Sequence, residues 1–417
     1  NSNSGTSWSK AFKTIAHALN VAQNGDTILV ADGTYYEHDL DLQGKKVHLK
    51  SANGAANCII DCQQQGRAFR FHSGETADSI LEGFTIQNGR VEDIYGGAIL
   101  CENNSSPTIR NCVFQNNKTQ DKDIVRDEEY GGAIYCNSSG PTVTNCIFNN
   151  NSASACGGAI FCDSSAPSIT NCTFSSNSGG CGGALYCYNS SDPEVVDCVF
   201  SGNSAGQDGG AVYCYIGSPS ISNCTFNSNS AGNYGGAIYC DYASLTITNC
   251  VFSGNSANNY NGGAIECSNT NLSITNCTFS GNSAKNCGGA IYCLTNSSLT
   301  LNNCIVWNNS AVTGGNEIYA DSGCTVTLIY CCVDNSAGAY DGSGTVDDSN
   351  NCIYDDPQFV DAANGNYHLK DTSPCIDNGD NNSVPSGVAT DLDGNQRVVD
   401  GDNDGTATVD IGAYEKQ

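Results

Sequence analysis

The chain has no methionine, 8 prolines and 2 tryptophans in 417 residues, and 16 Lys+Arg against 43 Asp+Glu. The shortage of positive charge leaves a formal net charge of -27. Such a surface repels nucleic-acid phosphates and anionic headgroups, so no nucleic-acid partner is expected. Also missing is any apolar run of the ~18 to 20 residues a spanning helix needs, so no membrane span is expected. The opening "NSNSGTSWSK" has no charged-then-apolar leader and is read as the start of a mature, exported chain. CxxC…CxxC spacing is absent, which sets aside a zinc framework for the 26 cysteines and points instead to an oxidising, extracellular or cell-surface setting. The five histidines, His17, His38, His48, His72 and His368, show no ligand spacing and are read as structural or exposed.

What the chain does have is a period. Glycine pairs or their equivalents open units at Gly96, Gly131, Gly157, Gly182, Gly209, Gly235, Gly262, Gly288 and Gly314, at spacings of 35, 26, 25, 27, 26, 27, 26 and 26. A fixed self-similarity of this length signals a solenoid. Each unit holds three short β-type runs, such as "AIYC", "LTITNC" and "VFSGNS" around Cys240, and none has a helical apolar period. The predicted fold is therefore all-β, a parallel β-helix of about 26 residues and three strands per coil. Coils ~4.8 Å apart stack each residue on its counterpart, so the sequence must repeat.

Alternation along the strand puts Ile238 and Cys240 inward and Tyr239 outward. Ile247 and a phenylalanine column from Phe114 to Phe279 fill the bore. Asn111, Asn145, Asn171, Asn223, Asn249, Asn276 and Asn303, with Asp197, suit left-handed corners and an amide ladder. Three segments are predicted: an N-terminal cap over 1–26, the solenoid over 27–350 and a closing segment over 351–417. In the cap, Trp8, Phe12, Ile15 and Leu19 form one face of a short amphipathic helix ending at Asn24-Gly25.

The recurring "GGAI" with "FSGN" (Phe200–Asn203, Phe252–Asn255, Phe279–Asn282) resembles the repeat of the chlamydial polymorphic outer membrane proteins and, more broadly, of secreted bacterial right-handed parallel β-helix proteins. The repeat covers roughly residues 80 to 335, and both flanks resemble those of the bacterial family. The resemblance implies a right-handed coil and leaves activity open between adhesins, passenger domains and polysaccharide-degrading relatives. No C-terminal run of membrane-type strands is present to form an autotransporter barrel.

Two cysteine columns pass through the regular coils. The first is Cys101, Cys136, Cys162, Cys187, Cys214, Cys240, Cys267 and Cys293; the second, 10 or 11 residues later, is Cys112, Cys146, Cys172, Cys198, Cys224, Cys250, Cys277 and Cys304. Where Ala320 replaces the first column, Cys324 appears beside Cys331 and Cys332. One disulfide staple per coil is the expectation, with a stack of buried thiols as the alternative.

Candidate chemistry is sparse. The 35-residue spacing marks an insertion whose Asp127, Glu128 and Glu129 are expected beside Glu92 and Asp93, with Arg90, Arg110 and Arg126 near. That cluster is read as a solvated charged loop or as a cation or glycan site. "DGDNDG" places Asp400, Asp402 and Asp404 at alternate positions before a glycine, a pattern for calcium, with Asp393 or Asp410 as further ligands, or for a plain acidic turn. The outward residues Tyr135, Phe161, Tyr186, Tyr213, Tyr239, Tyr292 and Tyr319, interrupted by Glu266, predict an exposed aromatic stripe for a partner. Between Asp127 and Leu369 the only Lys or Arg is Lys285, which argues against a lyase there. The leading expectation is a non-enzymatic surface or filament protein that self-associates or binds an extracellular polymer. The alternatives are a carbohydrate-active β-helix enzyme, a lyase or hydrolase using the Glu92 to Glu129 acids, and a glycan-binding module using the tyrosines.

Overall fold

A computed structural model describes residues 3–92, 95–120 and 129–417. The chain is a parallel β-solenoid with three main sheets, and it divides into two compact units, Asn1–Glu194 and Val195–Gln417. One coil of the second unit shows how the sequence winds. Gly235 takes φ +62°, open to glycine at little cost, and a Cβ on Gly236 would stand 2.1 Å from the Gly263 carbonyl oxygen. The pair is thus needed twice over, once for a left-handed turn and once for close approach of the next coil. The chain then runs through Ile238–Ala243, Thr246–Thr248 and Val251–Ser253. These belong to what we call the glycine-led, middle and phenylalanine sheets. Asn249 turns the corner between the last two at φ +51°.

Register is residue on residue: Ile238 pairs with Ile265, Cys240 with Cys267, and Phe252 with Phe279. The inward set is Ile238, Cys240, Ile247 and Phe252, each at 0% exposure. Phe226, Phe252 and Phe279 stack with centroids 4.7 and 4.6 Å apart and planes within 2°. Phe114, Phe148 and Phe174 do the same at 4.8 Å in the first unit. Fully burying one such ring contributes roughly 2 to 3 kcal/mol. The corner asparagines form the expected ladder, with Asn249 donating to Asn223 at 3.1 Å and Asn276 to Asn249 at 3.2 Å.

A fourth, two-residue strand per coil was not expected; Ser230–Ala231, Ser256–Ala257 and Ser283–Ala284 pair in parallel. Beside it lies a second, fully buried ladder made from the asparagine of "FSGN". Asn229 donates through Nδ2 to Asn255 at 3.0 Å, Asn255 to Asn282 at 2.9 Å, and Asn282 to Asn309 at 2.8 Å. Each also donates to a backbone carbonyl, as Asn255 does to Phe226 at 3.0 Å. This wall is polar inside and still satisfied, which buried amides require.

The N-terminal helix is shorter than predicted. Helix α1 spans Ile15–Val21 and buries Ile15, Ala18 and Leu19, while Trp8 lies in a separate 3₁₀ turn and is 58% exposed. The Thr14 hydroxyl caps the start by accepting from the His17 amide, and Glu37 accepts from the amides of Ile15 and Ala16. Those contacts satisfy the first-turn donors and fix the start at residue 15. A groove of about 970 Å³ lies along α1, with Asp26 its only carboxylate and no Lys or Arg in its wall. In the closing segment, Arg397 is buried against Glu415 at 3.2 Å and donates to the Gly412 carbonyl. Gly412 donates to Asn303 and Ala413 to Thr278 Oγ1, pinning this segment to the coils of the second unit.

Candidate functional site

The cysteines do not staple the coils; all 26 are thiols. First-column thiols line the glycine-led sheet and stack on their own kind, with Cys267 and Cys293 sulfurs 3.4 Å apart against the ~2.05 Å of a disulfide. Second-column thiols sit at the corner after the middle sheet, where Cys250 donates to Thr248 O at 3.2 Å and accepts from the Cys224 amide at 3.4 Å. The columns occupy different walls of the coil, which corrects the within-coil pairing. Cys375 joins Cys332 in the apolar core of the closing segment.

The aromatic stripe is largely covered. Tyr135, Phe161 and Tyr292 are buried at 4%, 3% and 7% exposure, and Tyr186, Tyr213, Tyr239 and Tyr319 are half-buried. Tyrosines just ahead of three of the glycine pairs pack against them: Tyr95 stacks on Tyr135 and Tyr130 on Phe161, both at 4.4 Å. Tyr234 lies 6.2 Å from Tyr239 and stacks on Tyr260 at 5.1 Å. The facing was read correctly, but the stripe is a second, outer aromatic layer rather than an open docking strip.

The insertion cluster is described only in part. Glu92 is paired with Arg90 at 2.7 Å, Glu129 is buried, and Arg110 lies on another sheet. Asp93, Arg126, Asp127 and Glu128 lie outside the described residues.

Basic side chains converge elsewhere in the first unit. On the outward face of the middle sheet, His48–Ser51, Ile80–Glu82 and Thr108–Arg110 stack so that Lys50, Glu82 and Arg110 share one column and His48 the next. Glu82 receives His48 Nε2 at 2.8 Å, Lys50 Nζ at 3.2 Å, and Arg110 through Nε at 2.9 Å and Nη2 at 2.6 Å. Partial burial alone would raise the Glu82 carboxyl, but hydrogen bonds from Arg110, Lys50 and His48 and the Arg110 charge outweigh it and hold it at about 2. Lys50 and Arg110 side chains stay 42% and 40% exposed, so their charge is presented to solvent. One carboxylate under two permanent cations and an imidazole leaves a net positive spot on a chain of net charge -27. It can bind an anionic group and also offers a nitrogen base.

A second acid cluster is real but differs from the predicted one. Ligand oxygens of Asp377, Asp400 and Asp402 lie within 4.8 Å of one another. Asp377 was not foreseen; its carboxylate accepts from the Asp402 amide at 2.7 Å, and burial followed by the Asp402 charge raises it, only in part offset by backbone hydrogen bonds. Asp404 is outside the group and accepts from the Thr406 amide. Asp393 pairs with His368 at 2.6 Å, and Asp410 is buried, accepting the amides of Asp377 and Lys416. An all-oxygen trio of this kind suits a hard cation.

A family model described as right handed beta helix region matches residues 20–250 and 220–383. The chain belongs to the right-handed β-helix family. Among solved structures, this β-helix protein is similar to pectate lyase Pel9A, at 15% identity and a TM-score of 0.52, over 100% of this chain and 94% of that one. It is also similar to the PL6 family alginate lyase AlyGC, at 14% identity and a TM-score of 0.35, over 79% of this chain and 52% of that one. At these identities the likeness is one of fold. No curated protein matches the chain. The expectation that this β-helix protein is not an enzyme is corrected by the end-to-end likeness of fold to pectate lyase Pel9A, whose fold carries an enzyme there. Its physical ground also fails, because the missing cations are gathered at Lys50 and Arg110, ahead of the stretch searched for them.

Proposed function

We propose that the protein is a polysaccharide lyase that cleaves a uronic-acid polymer outside the cell, with its site on the outward face around Glu82. The observation that carries this reading is the clamp itself, one ionised carboxylate holding His48, Lys50 and Arg110 on an open face. The pectate lyase of similar fold supports the substrate class.

β-Elimination removes the proton at C5, beside the uronate carboxylate, breaks the C4–O bond, forms a C4=C5 double bond and returns a proton to the departing oxygen. Arg110 neutralises the uronate carboxylate, whose negative charge otherwise disfavours loss of that proton. The His48 imidazole takes the C5 proton, Lys50 supplies the proton to the leaving oxygen, and Glu82 fixes the positions of all three. A calcium ion at Asp377, Asp400 and Asp402 has a structural role in this reading, fastening the closing segment.

The test is incubation with polygalacturonate, alginate and a neutral glucan, following the ultraviolet absorbance of the new double bond. Wild-type protein gives unsaturated product from a polyuronate, and His48→Ala, Lys50→Met and Arg110→Met each lose it while keeping the fold. Activity that survives all three substitutions assigns the chemistry to another place.

A further inference from the structure

Four thiols of the chain are half-buried, Cys156, Cys181, Cys287 and Cys352, and all the other cysteines are buried. Two of the four are in register. Cys156 and Cys181 form a parallel bridge one coil apart in the first unit, each just ahead of a glycine pair, at Gly157 and Gly182. The backbone fixes that register: the Cys181 amide donates to Ala155 O at 3.1 Å, and the Gly157 amide to Cys181 O at 2.9 Å. Cys287 has Gly314 as its bridge partner, and Cys352 neighbours the buried Cys331. Cys156 packs with Tyr95, Tyr130 and Tyr186 in the outer aromatic layer, so the pair stands outside the bore.

The spacing of the pair decides what it can hold. Residues in register across a parallel bridge send their side chains the same way, so the two Cβ atoms stand about one coil rise apart, ~4.8 Å. A disulfide wants them nearer ~3.8 Å, with the sulfurs bonded at ~2.05 Å. A cation midway between two sulfurs, with bonds of ~2.3 Å, spans ~4.6 Å in a straight line and matches the coil rise without bending it. Thiolate sulfur selects soft cations, and copper(I) accepts two ligands in line where structural zinc takes four. No further ligands complete a zinc set here: among the described residues, the one group of three or more His, Cys, Asp or Glu ligands is Asp377, Asp400 and Asp402. Partial exposure also gives a cation an entry path, which the first- and second-column thiols at 0 to 1% exposure lack.

We propose that Cys156 and Cys181 hold one soft cation of the copper(I) class between neighbouring coils, each thiol releasing its proton to solvent as its sulfur binds. The ion bridges a gap that a disulfide closes only by pulling the coils together. This site is separate from Asp377, Asp400 and Asp402 and does not depend on the lyase reading.

The probe is copper(I) itself, added without oxygen to the reduced full chain in the presence of a competing copper(I) chelator. Wild type is expected to retain one copper per chain, with the ultraviolet charge-transfer band of a copper thiolate. Cys156→Ser and Cys181→Ser are each expected to lose that copper under the same competition, and Cys287→Ser, which removes an equally reachable single thiol, to keep it. Copper retained by folded Cys156→Ser and Cys181→Ser would overturn the proposal, as would a wild type stripped completely by the chelator or a pair found joined as a disulfide. If a serine variant does not fold, alkylation of wild type decides: bound copper is expected to shield Cys156 and Cys181 and to leave Cys287 reactive, and equal alkylation with and without copper would overturn the site.

Discussion

Replacing Asn255 by leucine tests the buried amide ladder at its centre. Asn255 is 0% exposed, and its side chain makes four hydrogen bonds. It donates to Phe226 O at 3.0 Å and Asn282 Oδ1 at 2.9 Å, and accepts from the Asn229 backbone and side-chain nitrogens, both at 3.0 Å. Leucine has nearly the same volume and fills the space, so the cavity contribution is small. What remains is the Asn229 amide and one Asn229 side-chain hydrogen, two buried groups with nothing to bond, while the Phe226 carbonyl keeps its place in the strand ladder. Asn282 Oδ1 keeps the Asn255 backbone amide at 3.0 Å and is spared. At about 1 to 3 kcal/mol for each orphaned group, with some relaxation between coils, the loss is roughly 2 to 4 kcal/mol. Urea unfolding of the full chain followed by circular dichroism reads it as a drop in the midpoint at unchanged slope. A loss below about 1 kcal/mol would refute the reasoning, because it would mean the stacked rings hold the wall and the amides are incidental.

Other consequences follow from named groups. Glu82 is held at about 2, below its usual range, so its pairing stabilises the fold above the unfolded-state value near 4.3 and is lost as pH falls toward 2. Between pH 6 and 2.5 the wild type is expected to lose about 1 to 2 kcal/mol more than Glu82→Gln in urea unfolding, the exposed partners reducing the effect, and parallel curves would count against the clamp. Calcium at Asp377, Asp400 and Asp402 should raise the melting temperature of the metal-stripped chain, and Asp377→Asn should blunt the rise; an equal rise in the variant would place the ion elsewhere. Denatured, unreduced protein titrated with a thiol reagent should show close to 26 thiols, and a count near 10 would restore the staples.

Much of the winding was legible because each coil must repeat what lies under it. Phe252, Ile247, Asn249 and the Gly235 pair could each be placed from one sentence of sequence. The second amide ladder was visible as the last letter of "FSGN" but looked like a family mark, since nothing in a sequence tells a buried asparagine from a turn asparagine. Tyr239 was placed on the correct face, yet whether that face is open depends on Tyr234, five residues earlier, folding back over it. The Glu82 clamp was the largest miss. His48, Lys50, Glu82 and Arg110 come from the early coils, where the interval is 32 residues from Lys50 to Glu82 and 28 from Glu82 to Arg110, so period-counting passes over them. Aligning "KKVHLKS", "SILEGF" and "PTIRNC" strand on strand would have stacked the three charges. Asp377 was hidden for a plainer reason, standing 23 residues before Asp400 with only the fold of the closing segment to join them.

The central claim is the lyase site, and its most direct measurement is the rate at which the metal-replete full chain forms unsaturated product from polygalacturonate or alginate. Ultraviolet-absorbing product is expected to accumulate with wild type, and the rate to fall roughly 10²-fold or more with His48→Ala at unchanged fold. Wild type that leaves both polymers intact, or His48→Ala cutting them at the wild-type rate, would contradict it.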